Sequence, residues 1–299
     1  MNKLAIIDTT SLLYYVVGHF MTESYPMGER LPKDIDKAYE GAVENEEKKY
    51  ITIHPDRYNF NAYTNNFDER LKNLLDTVGT KSYIGFVDGR DNFRKRYLDS
   101  FKSDRLNKKP LQFLNELREY AQEKYGLIAS EDLESDDMCL IAANHYKDEY
   151  DLVICSPDSD LRQYPGKFYD YRNGTFSSIS EDDAAKNLLY MLLTKGHNNK
   201  VKSHLPDCGE KTANIYLETH GTYSGIIDAY IYGIHKSNFP TIYKSIKGLG
   251  MLGGIDTLHR SFMQTYLLRT VEECEYLGIQ FNIPNVLTLK KNTEEKFIW

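Results

Sequence analysis

The chain has 299 residues, 41% of them hydrophobic, with 37 Lys and Arg against 44 Asp and Glu for a formal net charge of −7. That length suggests about two structural units, and the hydrophobic share can bury a core without help from disulfides. With 19 Gly and 9 Pro, a collagen-like or low-complexity chain is excluded. The acidic balance does not point to a wholesale polyanion binder, so a contact with nucleic acid has to rest on local basic patches.

Cys139, Cys155, Cys208 and Cys274 form no CxxC pair. This argues against a zinc ribbon or a small disulfide scaffold and fits reduced thiols. The N-terminus has neither the long apolar run nor the cleavage site of a signal peptide, and no stretch approaches the roughly 18 apolar residues that span a bilayer. A soluble cytoplasmic protein is expected, with no membrane contact.

Leu4 to Asp8 is a short apolar run closed by a carboxylate, the pattern of a buried strand with Asp at its C-terminal end. Residues 21–66 are polar and irregular, with Pro26, Pro32 and Pro55, and are expected to form a partly helical excursion. Lys81 to Gly89 repeats the strand pattern, with Asp88 after the apolar residues.

The next twenty positions carry Arg90, Arg94, Lys95, Arg96, Lys102, Arg105, Lys108 and Lys109 against Asp91, Asp99 and Asp104. Such a patch attracts a phosphate backbone in a salt-sensitive way, and Phe93, Tyr97 and Phe101 interleave with it. An amphipathic helix with its aromatics on the core is the alternative, favoured for Tyr97. A helical pattern follows from Leu111 to Tyr125, and a third apolar run, Asp151 to Cys155, leads to Asp158. From about Ser180 helical patterns dominate, which divides the chain into an α/β unit over 1–185 and a helical unit over 186–299.

Strands alternating with helices indicate an α/β fold with a mostly parallel sheet. In such sheets ligands sit beyond the carboxyl ends of the strands, so Asp8, Asp88 and Asp158 should converge on one edge. Glu131, Asp132, Glu134, Asp136 and Asp137 crowd into seven residues just before an apolar stretch. A helix N-terminus tolerates two or three acids through its dipole and caps, but five repel one another unless a cation neutralises them. Asp158 and Asp160 add two hard oxygen ligands on a loop, a set suited to Mg²⁺ or Mn²⁺. Capped helices and solvated loops remain the competing explanation.

In order, these segments resemble the 5′-nuclease or flap endonuclease superfamily, in particular its stand-alone bacteriophage and bacterial members. The matching segments are Leu4 to Asp8, Phe86-Val87-Asp88-Gly89, the basic segment ending Phe101-Lys102-Ser103-Asp104-Arg105, Glu134-Ser135-Asp136-Asp137, Asp158-Ser159-Asp160-Leu161 with Gln163, and Gly209-Glu210-Lys211-Thr212-Ala213. They cover roughly residues 1–20 and 80–220.

The resemblance implies a helical C-terminal region with a helix-three-turn-helix. It implies a metal site made of Asp8, Asp88, Glu134, Asp136, Asp137, Asp158 and Asp160, holding Mg²⁺ or Mn²⁺. It implies that Lys102 and Arg105 contact the scissile phosphate as catalytic residues, and that Arg94, Arg96, Phe101, Gly209, Lys211 and Thr212 bind DNA, with K⁺ at the Gly209 turn. The substrate implied is DNA with a 5′ flap or 5′ end at a duplex junction, cut by a monomer that acts in replication. The family's second-metal aspartates are replaced here by His197 and Lys200, which implies a weakened or absent second metal.

Overall fold

The structure is a computed structural model that describes residues 1–26, 43–44, 49–53, 59–89, 91–98, 101, 111, 113–194, 208–232 and 256–289. The three apolar runs form the centre of one sheet: β1 (Asn2–Asp8), β5 (Ser82–Val87) and β7 (Tyr150–Cys155). β1 pairs in parallel with β5 on one side and β7 on the other. Beside β5 lies the short parallel strand β6 (Ile128–Ala129), and β7 pairs in parallel with β8 (Gly166–Asp170).

The margins are antiparallel: β9 (Thr175–Ile179) forms a hairpin with β8, and β10 (Leu287–Thr288) pairs with β5. The sheet is therefore mostly parallel, with antiparallel strands only at its edges.

A buried strand must supply apolar side chains to both faces. Leu4 and Ile6 of β1 enter one hydrophobic layer and Ala5 and Ile7 the other, a period-two division repeated by Ile84 and Phe86 against Tyr83 and Val87. The second layer is covered by α1 (Thr9–Met21), α2 (Phe60–Val78) and α3 (Leu114–Tyr125). Asn59 caps α2 by accepting the Ala62 N–H at 3.2 Å, and Gly79 ends it at φ +78°, a left-handed turn that favours glycine.

The first layer is covered by α4 (Ser135–Tyr146) and by residues of the C-terminal part, among them Leu267, Leu268, Cys274 and Phe281. A third cluster joins α5 (Glu181–Thr194), α6 (Glu210–His220) and α7 (Tyr223–Tyr232). Helix α8 (256–265) and the short α9 (Val271–Tyr276) lead back to β10.

Three sequence expectations meet a different structure. The excursion over 21–66 contains a three-stranded antiparallel sheet of β2 (Thr22–Pro26), β4 (Lys49–Ile53) and β3 (Val43–Glu44), and its helical part is the start of α2. The helix expected from Leu111 begins at Leu114. The helical C-terminal part does not stand apart from the sheet, because β10 pairs with β5 and residues 267–281 fill the first layer. All four cysteines are buried free thiols, as their spacing suggests. Among the described residues no helix is long and apolar enough to cross a membrane.

Candidate metal and nucleic-acid site

The order β5-β1-β7 reverses the direction of strand addition at β1, which opens a crevice beyond the carboxyl ends of these strands. Asp8 ends β1, Asp88 follows β5, and Ser156 and Asp158 follow β7. The N-terminus of α4 is held at the same edge by Ser135, whose N–H donates to Asp88 at 2.9 Å and whose hydroxyl donates to Asp8 at 2.8 Å. Ser156 donates to the other Asp8 oxygen at 2.8 Å and accepts the Asp158 N–H at 3.0 Å. Asp158 in turn accepts the Asp160 N–H at 2.9 Å, and Thr10 fixes the Asp88 backbone by accepting its N–H at 2.7 Å.

Asp8, Asp88 and Asp158 are thus linked on one edge through two serines and a threonine, with Asp160 following Asp158 and with Glu134 and Asp136 on either side of Ser135 at the start of α4. The Glu134 carboxylate also lies 3.6 Å from the Arg94 guanidinium. Nothing in the sequence distinguishes these three hydroxyls from spacers. Asp8 is almost fully buried. Burial pushes its carboxyl above the ordinary range against the pull of its hydrogen bonds from Ser11, Ser135 and Ser156, and the neighbouring Asp88 charge adds to the rise.

Asp137 does not join this edge. Its side chain is fully buried and accepts both arms of the Arg94 guanidinium, at 2.6 and 2.8 Å. It also accepts the Leu268 N–H at 2.9 Å and the Glu134 N–H at 3.4 Å. A carboxylate offers about four acceptor positions, so Asp137 has none left for a cation; the expectation of a metal ligand there is corrected to a partner for Arg94.

The same geometry corrects Arg94. Its side chain is 1% exposed and donates to the Met263 carbonyl at 2.9 Å and the Tyr266 carbonyl at 2.7 Å, so it holds the end of α8 and faces no solvent where DNA would lie. Phe101 is half-buried, its ring 6.0 Å from the Arg94 guanidinium carbon. Arg96 is exposed and paired with Asp132. Tyr97, expected on the core, is 44% exposed and stands edge-on to His259. Residues 93–96 form a 3₁₀ turn, not an amphipathic helix, so Phe93 faces the core while Tyr97 leaves it.

Gly209 is the N-cap residue of α6, with Lys211 exposed and Thr212 half-buried in its first turn. Lys102, Arg105, His197 and Lys200 lie outside the described residues, as does the turn preceding Cys208.

Among the described residues no three His, Cys, Asp or Glu side chains converge closely enough to hold an ion directly. Mg²⁺ retains most of its water and takes one or two carboxylates. The all-oxygen set of Asp88, Glu134, Asp136, Asp158 and Asp160 fits such water-mediated binding. It suits a thiol- or imidazole-preferring ion poorly.

No family model and no curated protein matches the sequence. The fold, however, matches solved structures. Bacteriophage T5 flap endonuclease, in a pseudo-enzyme–product complex with DNA and metal ions, superposes with a TM-score of 0.60 at 13% identity, over 89% of this chain and 91% of that one. The same phage's protein co-crystallized with metal ions gives 0.59 at 15% identity, over 93% and 94%. T5 5′-exonuclease with bound zinc gives 0.58 at 15% identity, over 89% and 91%. At these identities the fold is what is shared, and it is the fold of these 5′ nucleases.

Proposed function

We propose that this protein is a divalent-metal-dependent, structure-specific 5′ nuclease that hydrolyses DNA phosphodiesters near a junction between single strand and duplex, as flap endonuclease and 5′→3′ exonuclease. The observation that carries this reading is the acidic edge beyond β5, β1 and β7. Its carboxylates gather at a topological switch point, where burial raises the pKa of Asp8 and the Asp88 charge adds to the rise. The fold shared with phage enzymes solved with DNA and metal ions supports it.

Asp88, Glu134, Asp136, Asp158 and Asp160 would hold Mg²⁺ or Mn²⁺. When bound, the ion supplies Lewis-acid stabilisation of a phosphodiester oxygen and favours ionisation of water. Asp8 sets the spacing of the ligands through Ser135 and Ser156. Lys102 and Arg105 would place positive charge against the phosphate that gains charge during cleavage. Arg96 and Phe101 would contact the strand near its entry, and Gly209, Lys211 and Thr212 would meet a duplex phosphate at the start of α6, with K⁺ at that turn. The protein would act on its substrate as a monomer, in DNA replication.

The test is end-labelled 5′-flap DNA incubated with the protein in Mg²⁺, Mn²⁺ or EDTA, beside Asp136→Ala and Asp158→Ala. Cleavage near the junction that needs metal and disappears in both variants is expected. Flap binding without cleavage in either metal would reduce the protein to a structure-selective DNA binder.

A further inference from the structure

A cavity of about 740 Å³ opens between α3 and the loop from β6 to α4, and it shares Asp88 with the acidic edge. Arg118 of α3 lines it, with Asn115 and Gln122 on the same helix face. Its Nε is buried without a hydrogen-bond partner, and among the described residues no acceptor engages its guanidinium. Buried cations are ordinarily paired, because losing water without gaining a partner is costly. Arg94, whose side chain is fully buried near this edge, illustrates the rule with its four hydrogen bonds. Arg118 is half-buried, and it is its Nε that has lost water without gaining a partner. Arg269 also has an unpartnered Nε but donates through Nη2 to the Gln163 carbonyl, whereas no hydrogen bond or ion pair joins the Arg118 guanidinium to any described residue. The wall opposite is built tightly: a Cβ at Gly89 would lie 1.7 Å from the Ser130 carbonyl oxygen, so only glycine lets the two strand ends close behind the cavity.

We propose that Arg118 is an anion subsite that takes a phosphate group of the DNA strand lying beside the acidic edge. This rests on the nuclease reading above and adds to it a contact that none of the matched motifs contains. Asp88, Glu119 and Glu131 also line the cavity and oppose a lone anion. A phosphate is therefore accepted when it lies between the guanidinium and a divalent cation held at Asp88, where both neighbours are positive. Arg118 binding and divalent-ion binding are then coupled: each strengthens the other's hold on the strand. An arginine presents a planar set of donors to phosphate oxygens that a lysine reproduces only in charge.

The experiment is fluorescence anisotropy of a labelled 5′-flap DNA at several salt concentrations, in Ca²⁺ and in EDTA, with the wild type, Arg118→Ala and Arg118→Lys. In Ca²⁺, Arg118→Ala is expected to weaken binding by about tenfold. It should also reduce the slope of log affinity against log salt by about 0.7, the value for one single-strand phosphate. Arg118→Lys should keep the slope while losing part of the affinity. In EDTA the difference between wild type and Arg118→Ala should shrink.

Because no described residue accepts a hydrogen bond from Arg118, Arg118→Ala should melt no lower than the wild type, which separates a lost contact from a damaged fold. Flaps ending in 5′-phosphate and 5′-hydroxyl identify the source: an equal loss assigns an internal phosphodiester, and a loss confined to the first assigns the terminal phosphate. Unchanged affinity and slope in Arg118→Ala, with the wild type binding normally, overturns the subsite alone. A wild type that does not bind the flap at all overturns the nuclease reading itself.

Discussion

Asp8 is where the cost of the site is concentrated in a single residue. Its carboxylate is buried among β-strand ends and accepts hydrogen bonds from Ser135 and Ser156, yet burial still holds its pKa above that of an unfolded aspartate. A carboxyl whose folded pKa is raised stabilises the fold below the unfolded value, about 3.9, and that contribution is lost as pH rises through the folded value. In EDTA, Asp8→Asn should therefore melt higher than the wild type at pH 7 to 8, and the gap should close as the pH is lowered to about 4. Thermal melts across that range check the sign; a gap that widens on acidification would contradict it. Ser135→Ala removes a donor to Asp8 and should cost about 1 kcal/mol in urea unfolding at neutral pH.

Gly89 offers a complementary contrast with Gly85. The added methyl of Gly89→Ala meets the Ser130 backbone, while that of Gly85→Ala meets chiefly the Leu127 side chain, which can turn aside. Gly89→Ala should cost about 1–3 kcal/mol and displace the loop carrying Glu131, with a smaller loss for Gly85→Ala.

Among the elements, the decisive link is between α4 and the end of α8. The last carbonyls of a helix have no partners of their own. Here those of Met263 and Tyr266 are taken by Arg94, and that of Thr265 by Gln163 at 2.9 Å. The next amides are taken as well, Leu267 by Gln163 at 3.0 Å and Leu268 by Asp137 at 2.9 Å. Asp137 and Gln163 each belong to a segment that also supplies acids to the crevice, so the end of α8 is fastened directly to both.

Removing one member of a buried ion pair leaves the other charge stranded. Asp137→Ala is thus expected to destabilise by about 3–5 kcal/mol in urea unfolding. Adding Arg94→Met to it should cost less than the sum of the two single changes, because the stranded charge is gone.

This clamp was not legible in the sequence. Asp137 reads as one more acid in a cluster, and Arg94 reads as one more cation in a basic run. Only the tertiary position of the end of α8, whose bonded residues lie 131 positions beyond Asp137 and 169 beyond Arg94, makes them partners. The crevice itself was legible, because a parallel strand buried on both faces reads as an uninterrupted apolar run and the residue closing it marks the carboxyl end.

For the molecule as a whole, the same reasoning explains what the sequence hides. β10 is two residues long, β2 is polar, and β4 interrupts Tyr50, Ile51 and Ile53 with Thr52, so none carries the unbroken apolar run that betrays β1, β5 and β7. The change from strands to helices falls between Ile179, where β9 ends, and Glu181, where α5 begins, so a division at 185 would cut through α5. Hydropathy along the chain cannot show that Leu267, Leu268, Cys274, Ile279 and Phe281 return to cover the first face of the sheet, or that β10 closes the β5 edge.

The consequence is a prediction about folding. A fragment of residues 1–185 should not be an independent nuclease unit. It would expose Ile84, Phe86, Met138 and Leu140 where the C-terminal residues now pack. Arg94 and Asp137 would lose their α8 partners. Each uncovered large apolar side chain forfeits about 1.5–3 kcal/mol, and a few such losses exceed the roughly 5–15 kcal/mol by which a domain is stable. Circular dichroism melts of the fragment should show no cooperative transition, while the full chain unfolds in one. A fragment that melts cooperatively and cleaves flap DNA would mean that the C-terminal return is an accessory to the fold and not part of its core.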